Sequence, residues 1–344
     1  MSQGSQYTAD RVAIVLVNWN GWQECVECLD SLLVQTHRNF HIYIIDNESA
    51  DLSVEQIEKW CAVPKAASNW RTFEGIDRLT YQSPTPAIGC RVASAADGEL
   101  AAPRESCLLT LIRSGANLGF AGGCNVGSQS AGLENFAFFW FLNPDTVAAR
   151  TALAELIQRA TRNPTVGMVG STLRDYYAPN VIQALGGARL NALNGRSSHI
   201  GQGMRIDAIP VDGADVEREM TYVVGASMLV SARFIKVIGL MAEDYFLYYE
   251  EIDWAMRGRH QFTLAYAPRS HVFHKSGANS SKVMPELCAR YYYRNRLRFV
   301  RRFLPGRIGA ARRALFIDML RHVAKGRWAM ARIVGSVLLS EFAS

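Results

Sequence analysis

Val12-Ala-Ile-Val-Leu-Val-Asn-Trp-Asn-Gly21 decides how this chain reads. Six apolar residues, mostly β-branched, run without a polar break and end in turn formers. Such a run marks a strand buried on both faces of a sheet. Glu24 to Leu33 then repeats apolar residues at helical spacing, and His41-Ile-Tyr-Ile-Ile45 is a second buried strand ending at Asp46-Asn47. Strand, helix and strand at these lengths form a βαβ unit, so the sheet is expected to be parallel. The fold class is α/β.

Working outward, the pattern repeats. Cys107 to Arg113, Phe136 to Leu142, Val166 to Gly170, Tyr222 to Val230 and Thr263 to Ala267 read as strands. Gly119 to Gly132 reads as a glycine-rich turn entering a helix. Thr151 to Thr161, Ala232 to Ile238 and Glu250 to Arg259 read as helices, and 171–220 as β-rich or looped. Prolines 64, 84, 86 and 103 mark 60–106 as an insertion, with a short strand expected at Leu79 to Gln82. The chain divides into a domain of 1–284, with a nucleotide-binding half at 11–150 and an acceptor half at 151–284, and a basic amphipathic helical tail at 285–344.

The net charge of +6 hides an asymmetry. The tail holds 13 Lys and Arg against Glu286, Asp318 and Glu341, about +10; the rest carries about −4. No apolar signal core occurs in Met1 to Asp10, and no run reaches the 18 apolar residues of a span. Seven unpatterned cysteines point to a reducing compartment. Cys25 and Cys28 lack a second ligand pair and read as a helix face, not a zinc site. A cytoplasmic protein is expected, peripheral on the cytoplasmic face of the membrane.

In doubly wound sheets, ligands bind beyond the carboxyl ends of the strands. Four polar clusters fall there: Asn18 to Asn20, Asp46 to Asp51, Asn117 to Asn125, and Asn143-Pro-Asp145. Each alone is an ordinary turn; four in order suggest one site. A carboxylate at Asp145 suits a hard divalent cation that would bridge two phosphates. Asn117-Leu-Gly-Phe-Ala-Gly-Gly-Cys-Asn125 is neither a P-loop nor a dinucleotide fingerprint. Its glycines would let backbone amides approach phosphate or base. In Tyr248-Tyr-Glu-Glu-Ile-Asp-Trp254, Glu250 and Asp253 share a helix face and Glu251 lies about 100° away. The flanking aromatics would raise a carboxyl pKa towards that of a general base and offer a platform for a sugar ring. His271 and His274 follow a strand, where one could complete a metal site.

Together these motifs resemble the inverting glycosyltransferases of family 2, in particular the rhamnosyltransferase-like branch. The resemblance covers roughly residues 11–300. It rests on Val17-Asn-Trp-Asn-Gly21, Ile45-Asp-Asn-Glu-Ser-Ala-Asp51, the 117–127 glycine stretch, Phe141-Leu-Asn-Pro-Asp-Thr146, Tyr248 to Arg257, and Tyr291-Tyr-Tyr-Arg-Asn-Arg296. It implies a GT-A fold: a Rossmann-like, mostly parallel sheet flanked by helices, with a basic helical extension. It implies a nucleotide-sugar pocket of Asn18, Asn20, Asp46, Asn47, Asn117, Gly119, Gly122, Gly123, Asn125, Asn143 and Asp145. Asp145 and His274 would hold Mg²⁺ or Mn²⁺. Glu251 stands where the family usually has its aspartate base, with Asp253 as second candidate.

Trp254, Tyr249, Arg294 and Arg296 are the expected acceptor contacts. The implied reaction is a single displacement from a dTDP- or UDP-sugar, best guess dTDP-rhamnose, onto a lipid-linked or surface polysaccharide. The arginine-rich tail reads as a membrane-surface contact, a grip on a lipid diphosphate, or helices packing on the catalytic domain or a second subunit; no nucleic-acid motif accompanies it. Homo-oligomerisation is left open. Two other readings stand: a sugar nucleotidyltransferase, whose N-terminal phosphate loop is missing after Val17, and a non-catalytic glycan- or lipid-binding protein.

Overall fold

The structure is a computed structural model and describes residues 10–64, 87–95, 107–209, 213–276 and 284–340. The expected strand at 79–82 lies outside the described residues. The strands are β1 (Val12–Asn18), β2 (Phe40–Asp46), β3 (Cys90–Ser94), β4 (Leu109–Arg113), β5 (Phe138–Leu142), β6 (Thr146–Ala148), β7 (Val166–Asp175), β8 (Ile182–Leu185), β9 (Gly187–Leu190), β10 (Ser197–His199), β11 (Tyr222–Val223), β12 (Ser227–Ser231) and β13 (Thr263–His274). The helices are α1 (Trp22–Leu33), α2 (Ser53–Ala62), α3 (Gly119–Ala131), α4 (Ala152–Thr161), α5 (Ala214–Glu219), α6 (Ala232–Ile238), α7 (Glu250–Gly258), α8 (Pro285–Phe303), α9 (Ile308–Ala324) and α10 (Trp328–Ser340).

One large sheet runs β3-β4-β2-β1-β5-β12-β7-β13-β6, with β8 beside β7. Its first five strands are parallel, as the opening βαβ unit requires. β12 is antiparallel to both neighbours, whereas β13 lies parallel to β7 and antiparallel to β6. The sheet is therefore mixed and mostly parallel. A second sheet, β10-β9-β11, is antiparallel throughout.

Buried apolar runs build the central strands, and four hydroxyl and indole groups tie them together. Trp140 Nε1 donates to Ser227 Oγ at 3.0 Å, and Ser171 Oγ bonds both Ser227 Oγ and Ser270 Oγ. These partners satisfy polar atoms that burial would otherwise leave costly. On one flank, Gln35 accepts from Leu153 N in the first turn of α4 and donates to Ala149 O. A distant side chain thus satisfies an open helix end.

Four boundaries differ from expectation. The insertion contains a paired edge strand, β3, and α2 reaches past residue 60. Tyr222 to Val230 is two strands in two sheets, broken at Val224 to Ala226. The strand beginning at Thr263 continues to His274, past a register shift between Ala267 and His271. The tail is not a separate layer: Leu297, Phe299, Val300, Ala311, Leu315 and Val334 belong to the main core. No described helix is long and apolar enough to cross a membrane.

Candidate active site

The site forms where β5 ends, α7 begins and the second sheet folds over. A cavity of about 540 Å³ opens there, walled by Asn143, Glu250, Glu251, His274 and the rings of Phe120, Tyr222, Tyr248, Tyr249, Tyr292 and Tyr293. Asn143 follows β5 and His274 closes β13, so two distant strand ends converge.

An unusual turn aims the carboxylates. Phe246, Tyr248 and Tyr249 all have left-handed backbones, with φ of 64°, 68° and 77°. Non-glycine residues adopt this conformation only where their surroundings hold them. Asn295 of α8 supplies that hold: its Nδ2 donates to the carbonyls of Tyr245, Leu247 and Tyr248 at 2.7, 2.8 and 3.0 Å. Helix α7 therefore begins abruptly at Glu250, and its first two side chains, Glu250 and Glu251, line the cavity.

Both glutamates have a buried Oε2 without a hydrogen-bond partner among the described residues. Burial pushes the Glu251 carboxyl up to about 7. Burial and then the neighbouring Glu251 raise Glu250 well above the usual carboxylate range. Two neighbouring buried carboxyls do not both ionise easily, so the pair takes up a proton more readily than free carboxylates do.

Asp253 points the other way. It is fully buried, accepts from Tyr245 Oη at 3.0 Å, and pairs with Arg257 Nε at 2.7 Å and Arg302 at 2.9 Å. It locks α7 to α8 and is not presented to the cavity. Although Glu250 and Asp253 lie three apart on one helix, only Glu250 lines the cavity.

Asp145 and His274 are close, with Oδ1 3.3 Å from Nε2. His274 Nδ1 lies 3.0 Å from Gln183 Oε1, and Gln183 Nε2 donates back to His274 O at 2.8 Å. With Nδ1 as donor to that oxygen, the Nε2 lone pair faces the carboxylate. Two acceptors this close suit a shared cation. No group of three or more His, Cys, Asp or Glu able to hold a metal exists among the described residues. A divalent ion would take two protein ligands here and the others from phosphate and water, as Mg²⁺ commonly does. His271 is different: burial and then Arg174 lower its pKa to about 4.

At the β1 and β2 ends, Asp46 accepts from Asn18 Nδ2 and Ser49 N, and Asn20 Oδ1 caps the 50–51 amides. Asn18 Oδ1 and Asn47 Oδ1 are buried acceptors without partners among the described residues. They suit donors of a bound base or ribose. Asn117 is exposed beside them, its Oδ1 accepting from Gly119 N. These residues do not line the 540 Å³ cavity.

Several expected contacts serve the scaffold instead. Gly119 opens α3 at φ 70°, where a methyl would sit 2.2 Å from Phe246 O. A methyl on Gly122 would meet Leu118 Cβ at 2.6 Å, and one on Gly123 would meet Val17 Cγ1 at 2.6 Å. Gly123 lets α3 lie close on β1, Gly119 makes room for the Phe246 turn and Gly122 clears Leu118 at the start of the helix; all three are buried, so they are not an exposed amide loop. Asn125 is buried, donating to Met241 O and Glu243 and accepting from Met241 N. Trp254 is a core residue between Phe141 and Phe234, its Nε1 donating to Gly239 O. It is too buried to stack on an acceptor sugar. Arg296 is also fully buried, bonded to Asn194 O and Asp318, and is no acceptor contact. Arg294 faces outward in a separate cleft with Arg298, Arg301 and Arg302. Tyr249 does wall the cavity, while its hydroxyl donates to Gly195 O at 2.8 Å. Cys25 and Cys28 are buried thiols whose pKa burial raises.

Sequence reasoning missed Ser197, His199 and Tyr222, which enter from the small sheet. Only the tyrosine run at 291–293 carried a visible signal for this wall.

Residues 13–73 match the profile of the family "Glycosyl transferase family 2". No curated protein matches the chain by sequence. A solved structure of the mannosyltransferase PcManGT from Pyrobaculum calidifontis, in complex with GDP-Man and Mn²⁺, is similar over 97% of this chain and 75% of that one. Its TM-score is 0.52 at 13% identity, so the two share a fold. S. aureus TarS is also similar, with TM-score 0.49 and 12% identity. That match covers 91% of this chain and 43% of the TarS chain, so this chain spans less than half of TarS.

Proposed function

We propose that this chain is a family 2 glycosyltransferase that moves a sugar, with inversion, from a nucleotide diphosphate donor to an acceptor hydroxyl. The observation that carries the reading is the convergence of Asn143, His274 and Glu251 on one cavity at the carboxyl edge of the sheet. The family profile at the first βαβ unit supports it.

The buried acceptors of Asn18 and Asn47 and the Asp46 carboxylate would take the base and ribose. Asp145 and His274 would hold Mg²⁺ or Mn²⁺, which when bound offsets negative charge on the departing diphosphate. Glu251 is the base. Its pKa near neutrality lets it be ionised yet basic enough to take the acceptor proton. The acceptor oxygen then attacks the anomeric carbon opposite the leaving group. The tyrosines exclude water and present faces to a sugar ring.

The donor we place first is dTDP-rhamnose, on the motif resemblance. The acceptor is a lipid-linked or surface polysaccharide, and the protein works at the cytoplasmic face of the membrane. Phe316, Ile317 and Leu320, each about half exposed on the outer side of α9, support a surface contact there.

The test is diphosphate release from a panel of dTDP-, UDP- and GDP-sugars with Mg²⁺ or Mn²⁺ and lipid extract. Release from one donor, lost on chelation and in Asp145→Ala, is expected. Donor binding without release under any acceptor would favour a non-catalytic binding protein. Synthesis of a nucleotide sugar from a nucleoside triphosphate would favour a nucleotidyltransferase.

A further inference from the structure

A second cavity, of about 390 Å³, adjoins the first and shares three of its walls: Ser197, Tyr292 and Tyr293. Its remaining walls are Arg196, Asp318, Arg321, His322, Lys325 and Arg327. Apart from His322, four cations face one carboxylate there. That carboxylate is already committed, since Asp318 pairs with Arg196, Arg321 and the buried Arg296. Lys325 and Arg327 have no carboxylate partner among the described residues, although they sit side by side at the junction of α9 and α10. Glycine 326 between them has φ of 66°, which turns the chain so that both can face one cavity.

Unpaired cations held at a concave site favour an anion with several oxygens, and arginine suits phosphate by its planar fork. The cavity has ample room for a diphosphate. It lies on the α8–α10 side of Glu251, whereas the donor groups Asn18, Asp46 and Asn47 lie at the β1 and β2 ends and contribute nothing to its walls. A ligand spanning both cavities would present a hydroxyl near Glu251 and a phosphate to Lys325 and Arg327.

We propose that this second cavity is the acceptor's phosphate subsite, and that the acceptor sugar is carried on a phosphate or diphosphate ester. The proposal rests on the glycosyl transfer read above. The ester belongs either to a lipid carrier or to a phosphate-linked polymer, and the chemistry shared by both is the phosphate adjoining the sugar.

The experiment is a binding titration, independent of turnover. Decyl diphosphate, inorganic pyrophosphate, the neutral decyl glucoside, UDP and phosphatidylglycerol vesicles are titrated into the protein and its Lys325→Ala/Arg327→Ala variant, with thermal melting to verify the fold. Both phosphates are expected to bind the unaltered protein, the variant to bind them at least tenfold more weakly, and the neutral glycoside to respond little. Decyl diphosphate binding much tighter than pyrophosphate assigns the ester to a lipid carrier; equal binding assigns it to a polymer. Equal affinity of both proteins for the phosphates would overturn the proposal. So would a variant that loses UDP binding in place of decyl diphosphate binding, because the cavity would then serve the donor. A loss confined to phosphatidylglycerol vesicles would overturn it as well, leaving only a bilayer contact. Failure of the transferase reading itself would appear separately, as no diphosphate release from any donor.

Discussion

The cavity side and the core side of α7 carry the same chemistry to opposite ends. Glu251 on one side has an unpartnered buried oxygen and a pKa raised to about 7. Asp253 on the other, two residues later, has two arginines and a tyrosine around it. Glu251 is destabilised as an anion and so can take a proton; Asp253 is engaged by two arginines and a tyrosine and so holds a helix. The difference teaches that proximity in sequence does not share function out among neighbours. The left-handed turn at Tyr248 and Tyr249 and the position of Arg302 on α8 decide which carboxylate meets the cavity.

That contrast can be attacked from either side. Glu251→Gln keeps size and hydrogen bonding but removes the base, so turnover should fall by roughly 10²- to 10⁴-fold, with the protein still folded. Steady-state rates of diphosphate release with a donor and acceptor check this. Turnover comparable to the unaltered protein would move the base elsewhere.

Asp253→Ala should behave in reverse. It removes the carboxylate that the partly exposed Arg257 and Arg302 share and leaves Tyr245 Oη without its acceptor, costing about 1–3 kcal/mol of stability, read by urea unfolding. At a temperature where the variant is folded, its turnover should exceed that of Glu251→Gln. Equal losses of turnover in both variants would erase the distinction between the two faces.

The smallest expected effect is on pH dependence. Glu251 is protonated more readily in the folded state than in the unfolded chain. The folded state therefore binds the extra proton between the two pKa values, and stability falls as pH rises from about 4.5 towards 7. Above that range this contribution is flat. Turnover should rise through the same upper limb, as the base ionises. Glu251→Gln should shallow the stability slope without abolishing it, because Glu250 remains raised. Melting temperatures across pH 4–8 for both proteins check this.

Much of the fold was legible because burial leaves a periodic record. Val12 to Val17 and His41 to Ile45 could only be central strands, and their polar ends pointed to one sheet edge. The resemblance named Glu251 and His274 ahead of their neighbours, and the structure puts both on the wall of one cavity. Asn125, Gly123, Trp254 and Arg296 misled for one reason: a polar, small or aromatic residue in a motif looks the same whether it meets a ligand or a neighbouring helix. Gly123 answers to Val17, Trp254 to Phe141 and Phe234, and Arg296 to Asp318. None of these partners lies within the local window of the chain. β3 was hidden because an edge strand is only half buried and its alternation is weak.

By itself the sequence determined the α/β class, the parallel pairing of the first two strands, the polar clusters at strand ends and the concentration of positive charge after residue 284. These follow from local rules of burial period and turn chemistry, which each segment obeys on its own. Only the tertiary structure decided that Glu251 and not Asp253 faces the cavity, that the basic tail packs into the core, and that Lys325 and Arg327 meet Tyr292 and Tyr293 at a second cavity. Those facts depend on contacts between residues far apart in the chain, and such contacts exist only once the elements are packed.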